Sequence, residues 1–137
     1  MVRRLFTPAQ ANRTLPLVRK IVRDILEAGG RLRTLAATIH ERGGRPEDDE
    51  RERFEAIKDE LGALMQELEA IGCTYKDWGF EMGLVDFPAR IDGKNVLLCW
   101  RSDEPQVLWY HGNQDGFAGR RAIPEELLAE IAESGGN

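Results

Sequence analysis

Two long stretches of helical periodicity, separated by a short glycine- and proline-containing segment, constrain the fold more than any other feature of the sequence. In both stretches apolar residues recur at spacings of three and four, which places them on one face of a helix. These positions are Val18, Ile21, Val22, Ile25, Leu32, Leu35, Ala36 and Ile39 in the first stretch, and Phe54, Ile57, Leu61, Leu64, Leu68 and Ile71 in the second. The second set is typical of a coiled-coil seam. We therefore predict an antiparallel hairpin of two long helices over residues 7–71.

Capping and breaking residues mark the ends of these helices. Thr7 and Gln10 have the spacing of a capping box, and Pro8 suits the first helical position. Pro16 lacks a backbone donor, so it predicts a kink between a first short turn and the long helix. Gly29-Gly30 costs about 2 kcal/mol relative to two alanines. We expect this glycine pair to bend the helix or to let another backbone approach closely.

Charge is divided sharply between the two helices. Residues 1–45 carry ten Lys and Arg against three Asp and Glu, whereas residues 46–71 carry three against ten. Facing helices of opposite charge would compensate each other. Because binding to a nucleic-acid backbone depends on uncompensated positive charge, and the whole chain has a net charge of −5, we predict no nucleic-acid partner.

The periodicity changes after Gly83, where three short runs rich in branched and aromatic residues follow: "LVDFPARI", "NVLLCWR" and "QVLWYH". Asp92-Gly93 between the first two is a tight-turn signal, and Pro88 favours an edge position for the first strand. We predict a three-stranded antiparallel β-meander over residues 83–112 and a short C-terminal helix over residues 123–133. The expected fold class is α+β, in a single domain of 137 residues.

The cysteine content and the absence of long apolar runs indicate a compartment. No stretch approaches the roughly 18–20 apolar residues that span a bilayer, and the first residues lack the apolar core of a signal peptide. The two cysteines, Cys73 and Cys99, are expected to be free thiols. We predict a cytoplasmic protein without a membrane partner.

The segments "RLFTPAQANRTLPLV", "GLVDFPARIDGKNVLLCWR" and "GFAGRR" occur in this order along the chain. In these segments, and over nearly its full length, the chain resembles the bacterial family catalogued as domain of unknown function 2203. The resemblance implies a small bacterial cytoplasmic protein. It brings no established activity and no catalytic residues.

The stretch "VLWYHGNQDGFAGRR", residues 107–121, is the best candidate for a site. Its glycines allow backbone amides to converge, and Arg120 and Arg121 could bind phosphate or carboxylate. A small-ligand pocket would combine Trp100, Trp109, His111 and Arg120. The alternative interpretation is structural, a glycine-containing turn whose arginines pair with carboxylates.

If the site were catalytic, each residue type suggests a role. His111 would act as acid or base, with Asp86 or Asp115 orienting it. Arg120 and Arg101 would hold an anion, and Trp109 would form a stacking wall.

Metal and nucleophile chemistry are less favoured by the sequence. Potential ligands lie near the predicted sheet, at Asp86, Cys99, Glu104, His111 and Asp115. His111 and Asp115 could meet across a turn, but the chain has no C-x-x-C, H-x-H or H-E-x-x-H pattern typical of zinc sites. We predict no metal site and no cofactor. Cys99 lies in mid-strand between apolar residues, which is typical of a buried thiol and not of a nucleophile activated by His111.

Several apolar residues lie off or at the edge of the two helical seams, namely Leu15, Leu17, Leu26 and Met65. A second copy of the chain could cover them in a four-helix bundle. We therefore expect a homodimer through the hairpin and a role as a self-associating interaction or scaffold module. The alternative function is a small-molecule-binding or anion-binding protein, or an enzyme, with its site on the sheet.

Overall fold

The computed structural model describes residues 4–77 and 79–128. Helices α1 and α2 pack as a hairpin, and an antiparallel sheet follows with its strands in sequence order. The elements are α1 (Pro8–Glu41), α2 (Asp48–Ile71), β1 (Thr74–Tyr75), β2 (Leu84–Ile91), β3 (Lys94–Arg101), β4 (Trp109–Gly112) and β5 (Arg121–Ala122). Residues 125–128 are helical, whereas residues 129–133 of the predicted C-terminal helix lie outside the described residues. The α+β class is confirmed.

The sheet has five strands where three were predicted. The predicted meander corresponds to β2, β3 and β4, and Asp92 and Gly93 between β2 and β3 both have positive φ, at 52° and 77°. Strands β1 and β5 are two residues long, too short to show alternation, and each is held by pairing with a longer neighbour. Because β1 pairs with β2, the expected edge position of β2 is also wrong.

Helix α1 begins at the predicted cap. The Thr7 side chain accepts from the Gln10 backbone at 3.1 Å, and the Thr7 backbone donates to the Gln10 side chain at 3.0 Å. The kink expected at Pro16 does not divide the helix, which runs unbroken through that residue. Pro16 lies on the exposed side, where water can reach the carbonyl that the missing N–H leaves without a helical partner.

The core lies between the inner face of the sheet and the hairpin. Its largest fully buried side chains come from both layers and include Val18, Val22, Ile25, Leu68, Phe87, Leu98 and Trp100. Beyond Gly29, Leu35 is the only buried residue of α1. The far end of the hairpin therefore contributes little to this core.

Ion pairs cross the hairpin as its charge division predicted. Arg31 pairs with Glu60, and Arg42 pairs with Glu50, which is almost fully buried.

Within the described ranges, no helix is both long enough and apolar enough to cross a membrane.

Candidate functional site

The outer face of the sheet, opposite the hairpin, carries a cluster of buried polar side chains. Strand alternation turns Val85, Phe87, Leu98 and Trp100 toward the core and Asp86 and Cys99 to the other side. Asp86 and Cys99 are direct partners across β2 and β3, and His111 pairs with Leu97 across β3 and β4. Three neighbouring strands thus each present one of Asp86, Cys99 and His111 at the same place.

These three side chains are close together and withdrawn from solvent. Nε2 of His111 lies 3.2 Å from Oδ1 of Asp86. One ligand atom from each of Asp86, Cys99 and His111 lies within 4.8 Å of the others. The exposed fractions are 5% for Asp86, 2% for Cys99 and 5% for His111. Buried polar groups of this kind are costly unless they are paired. The three side chains must therefore form hydrogen bonds with one another or bind a ligand.

Hydrogen bonding defines the protonation of the His111 ring. Its Nδ1 lies 2.8 Å from the backbone oxygen of Gly112, and because a carbonyl oxygen can only accept, Nδ1 carries a proton. Nε2 faces Asp86, with which it shares one further proton. Removal of that proton leaves Nε2 with a free lone pair directed toward Asp86, which is the form of histidine that binds metals.

Burial dominates the acid–base behaviour of Asp86 and Cys99. It raises the pKa of Asp86 above its usual value, although the adjacent His111 acts in the opposite direction. Burial, together with the negative charge of Asp86, raises the pKa of the Cys99 thiol to about 12. Cys99 is therefore a thiol at neutral pH.

A cavity of about 200 Å³ opens beside the cluster. Its walls include Lys76, Leu97, Gly116 and Phe117 in addition to the three clustered residues. Nζ of Lys76 lies 4.0 Å from Oδ2 of Asp86, and this lysine is half exposed. The cavity has room for several water molecules or a very small ligand.

The arginines expected to hold an anion are paired with carboxylates of the chain itself. Arg120 donates to both carboxylate oxygens of Glu104, at 2.7 and 2.8 Å, and both side chains are largely buried. Arg120 also lies over the rings of Trp109 and Phe117. Nε of Arg101 donates to Asp103 at 2.6 Å. An external anion would have to displace these partners.

The structure divides the predicted site residues into two groups. His111, Asp86, Trp109 and Arg120 lie on the outer face of the sheet, together with Cys99. Trp100 lies on the inner face, where its Nε1 donates to the backbone oxygen of Glu104, so it cannot share a pocket with them.

Two further candidates, Asp115 and Arg121, are not part of the cluster. Asp115 is exposed and accepts from the Gly112 backbone at 3.1 Å, which leaves Asp86 as the carboxylate partner of His111. Arg121 is exposed in β5.

The sequence interpretation missed two partners. Glu104, predicted only as a potential metal ligand, neutralises Arg120, and Lys76, which the sequence does not mark, lies near Asp86. The proximity of Cys99 and Asp86 could have been predicted from the sequence. The turn at Asp92-Gly93 sets the register of β2 and β3, and this register makes the two residues direct partners. No local signal marks Lys76, because it follows a strand of two residues.

Comparison with known proteins places the chain in a family but not in a functional class. The family described as "Uncharacterized conserved protein (DUF2203)" matches residues 4–123. The chain belongs to this family. The match includes both helices of the hairpin and all five strands of the DUF2203 chain, and therefore all three clustered residues. No curated protein and no solved structure matches it.

Proposed function

We propose that the protein is a self-associating module of the bacterial cytoplasm. In this proposal the far end of the hairpin, residues 30–57, packs against the same surface of a second copy. We call this segment the distal hairpin. The observation that carries the proposal is that the distal hairpin extends past the core: within α1 it has Leu35 as its only buried residue, and Leu32, Ile39 and Phe54 are only partly covered.

A groove between the two helices offers a surface for the second copy. The groove encloses about 1010 Å³, and Leu35 and Ile57 lie among its lining residues. Small side chains form much of the remaining lining, at Gly30, Thr34, Ala37, Thr38 and Ala56. Small residues let a neighbouring helix approach closely, and two hairpins that meet in this way form a four-helix bundle.

The charge of the distal hairpin makes this surface self-complementary. Its α1 side carries the exposed Arg31 and Arg33, and the first turn of α2 carries the exposed Asp48 and Asp49, whereas Arg42 and Glu50 pair with each other within the chain. A two-fold axis places the same patch of both copies together. If α1 of one copy runs antiparallel beside α2 of the other, basic and acidic helices face each other across the interface.

The cytoplasmic setting rests on the cysteines. Cys73 and Cys99 are both free and buried, which is typical of proteins from reducing compartments. Trapping of thiols with an alkylating agent during lysis tests this setting, and a disulfide in the freshly lysed cell would contradict it.

The oligomeric state in solution tests self-association. We expect sedimentation equilibrium of the full chain to give twice the chain mass. Ala37→Glu places a longer side chain in the groove and should weaken the dimer at least about tenfold, because it blocks the close approach of a neighbouring helix. Ala63→Glu, at an exposed position of α2 outside the groove, is the matched control. A monomer at all concentrations, or equal effects of both substitutions, would contradict the proposal.

A second candidate function is the binding of a small ligand at the sheet. The buried cluster of Asp86, Cys99 and His111 beside a cavity supports it. Recognition of an anion receives less support, because Glu104 and Asp103 already neutralise Arg120 and Arg101. His111→Ala should abolish binding of such a ligand, measured by thermal shift against a metabolite panel, while the protein stays folded.

A further inference from the structure

Asp86, Cys99 and His111 provide three different kinds of metal ligand at one point of the sheet. Each comes from a different strand, so the ladder of β2, β3 and β4 holds their backbones rigidly. All three side chains are buried, and their ligand atoms lie within 4.8 Å of one another. From this geometry we propose that Asp86, Cys99 and His111 bind a divalent transition-metal ion of the zinc class.

The distances fit such an ion after small side-chain movements. Zinc bonds of about 2.0–2.3 Å place neighbouring ligand atoms roughly 3.5 Å apart in a tetrahedral site. Nε2 of His111 and Oδ1 of Asp86 are 3.2 Å apart. The Cys99 sulfur lies within 4.8 Å of the other two ligand atoms, so it would have to approach them by little more than about 1 Å to reach this spacing.

The surroundings of His111 support the same ion. The Gly112 backbone oxygen holds the proton on Nδ1 at 2.8 Å, which leaves Nε2 as the coordinating atom. Metal-binding histidines almost always donate their second ring N–H to a carbonyl or carboxylate in this way. This hydrogen bond also fixes the orientation of the ring, so the His111 side chain loses little further conformational freedom when a metal binds.

The ligand types select the class of metal. A thiol sulfur, an imidazole nitrogen and one carboxylate suit Zn²⁺, Co²⁺ and related ions, whereas Mg²⁺ and Ca²⁺ require mostly oxygen ligands. Three protein ligands leave a fourth position, and the adjacent cavity of about 200 Å³ can supply water to it. A site of this composition is suited to binding and polarising a small molecule.

Binding releases protons in a defined way. The Cys99 sulfur forms its bond to the metal as its thiol proton leaves to solvent. The proton shared by Asp86 and His111 also leaves, so that a carboxylate oxygen and Nε2 both coordinate. The metal replaces these two protons, and Lys76, which lies near Asp86 and is half exposed, can turn toward water. No electron transfer is involved.

Titration with Co²⁺ tests this site directly, because cobalt replaces zinc and reports its ligands by absorbance. The reduced full chain is freed of metal with a chelator and then titrated. We expect one Co²⁺ per chain, a thiolate-to-cobalt charge-transfer band, and loss of that band when Zn²⁺ is added. Cys99→Ser should remove the band, whereas Cys73→Ser should retain it, because Cys73 is an equally buried thiol outside the cluster.

His111→Gln provides an independent measurement if Cys99→Ser fails to fold. We expect this variant to bind Co²⁺ at least about 100-fold more weakly, since loss of a metal ligand exceeds the 10- to 100-fold effect of an outer-shell change. Absence of the band from the unsubstituted protein would overturn the proposal. So would loss of the band in Cys73→Ser alone, or an unchanged affinity in His111→Gln. The result is independent of self-association, which uses the distal hairpin.

Discussion

Phe80 packs so closely against Gly29 that a Cβ atom added at Gly29 would lie 2.3 Å from Cγ of the Phe80 ring. The glycine thus lets the segment between β1 and β2 press an aromatic side chain onto the middle of α1. Phe80 itself has positive φ, at 56°, and its ring stacks on Tyr75. The glycine pair was expected to bend the helix or to admit another backbone; the neighbour it admits is a side chain.

The first prediction concerns this contact. Gly29→Ala should destabilise the protein by about 0.5–2 kcal/mol, because moving the Phe80 ring to make room for the new methyl group costs more than the gain in helix propensity. Gly62→Ala, in the middle of α2 with open space around its Cα, should instead stabilise by about 1 kcal/mol through helix propensity. Urea unfolding of both variants measures this difference. If both substitutions changed the free energy of unfolding in the same direction, the Phe80 contact would not limit the size of the residue at position 29.

The second prediction concerns the ion pair between Arg120 and Glu104. Arg120→Ala leaves the Glu104 carboxylate largely buried without its partner, which should cost about 3–5 kcal/mol. The adjacent Arg121 is exposed, so Arg121→Ala should change stability by less than about 0.5 kcal/mol. Thermal or urea unfolding gives both values. Equal effects would show that Arg120 acts as a surface residue.

The third prediction concerns a side-chain clamp between α1 and the segment that leads into β4. The Asn12 amide accepts from the Val107 backbone nitrogen at 2.7 Å and donates to the Val107 backbone oxygen at 3.1 Å. Asn12→Ala leaves the backbone N–H and C=O of the buried Val107 without these partners, so we expect the free energy of unfolding to fall by about 2–4 kcal/mol. Asn95→Ala, at an exposed position of β3, should have little effect. Hydrogen exchange at the Val107 amide should accelerate only in the Asn12 variant.

The fourth prediction concerns stability at acidic pH. The Arg42 guanidinium and the Glu47 backbone N–H lower the pKa of Glu50 from 4.5 to about 2. In the unfolded chain Glu50 takes up its proton near pH 4.5, whereas in the folded chain it does so only near pH 2. The unfolded state therefore binds more protons in this window, and stability is lost as the pH falls through it.

Melting temperatures measured from pH 7 to pH 2 test this effect. The unsubstituted protein should lose stability more steeply below pH 4.5 than Glu50→Gln does, whose side chain has no proton to take up. Glu52→Gln, at an exposed position of the same helix, should follow the unsubstituted protein. Parallel curves for Glu50→Gln and the unsubstituted protein would rule out the Arg42 pair as the cause.

Sequence patterns predicted some parts of this molecule well, for reasons that differ from element to element. The hairpin was predictable because long periodic segments and a capping box at Thr7 signal helices locally. The β2–β3 turn was predictable because Asp92-Gly93 favours positive φ. Strands β1 and β5 were not, since two residues carry no period and pair only because a neighbouring strand offers its free edge.

The candidate site was predicted in part. His111 and Asp86 were named as possible partners, and the register places them together. Trp100 was predicted to share a pocket with Trp109, but Cys99 is the residue that pairs with Trp109, so Trp100 faces the core. A shift of one residue along a strand moves the side chain to the opposite face of the sheet. Local composition does not show which face each residue occupies.

The sequence by itself determined the two helices, the central meander and the opposite charges of the hairpin, because each depends on neighbours within a few residues along the chain. Only the tertiary structure decided that Asp86, Cys99 and His111 meet and that Glu104 neutralises Arg120. These relationships join residues on different strands and loops, and their distances depend on strand register and on which face the hairpin covers.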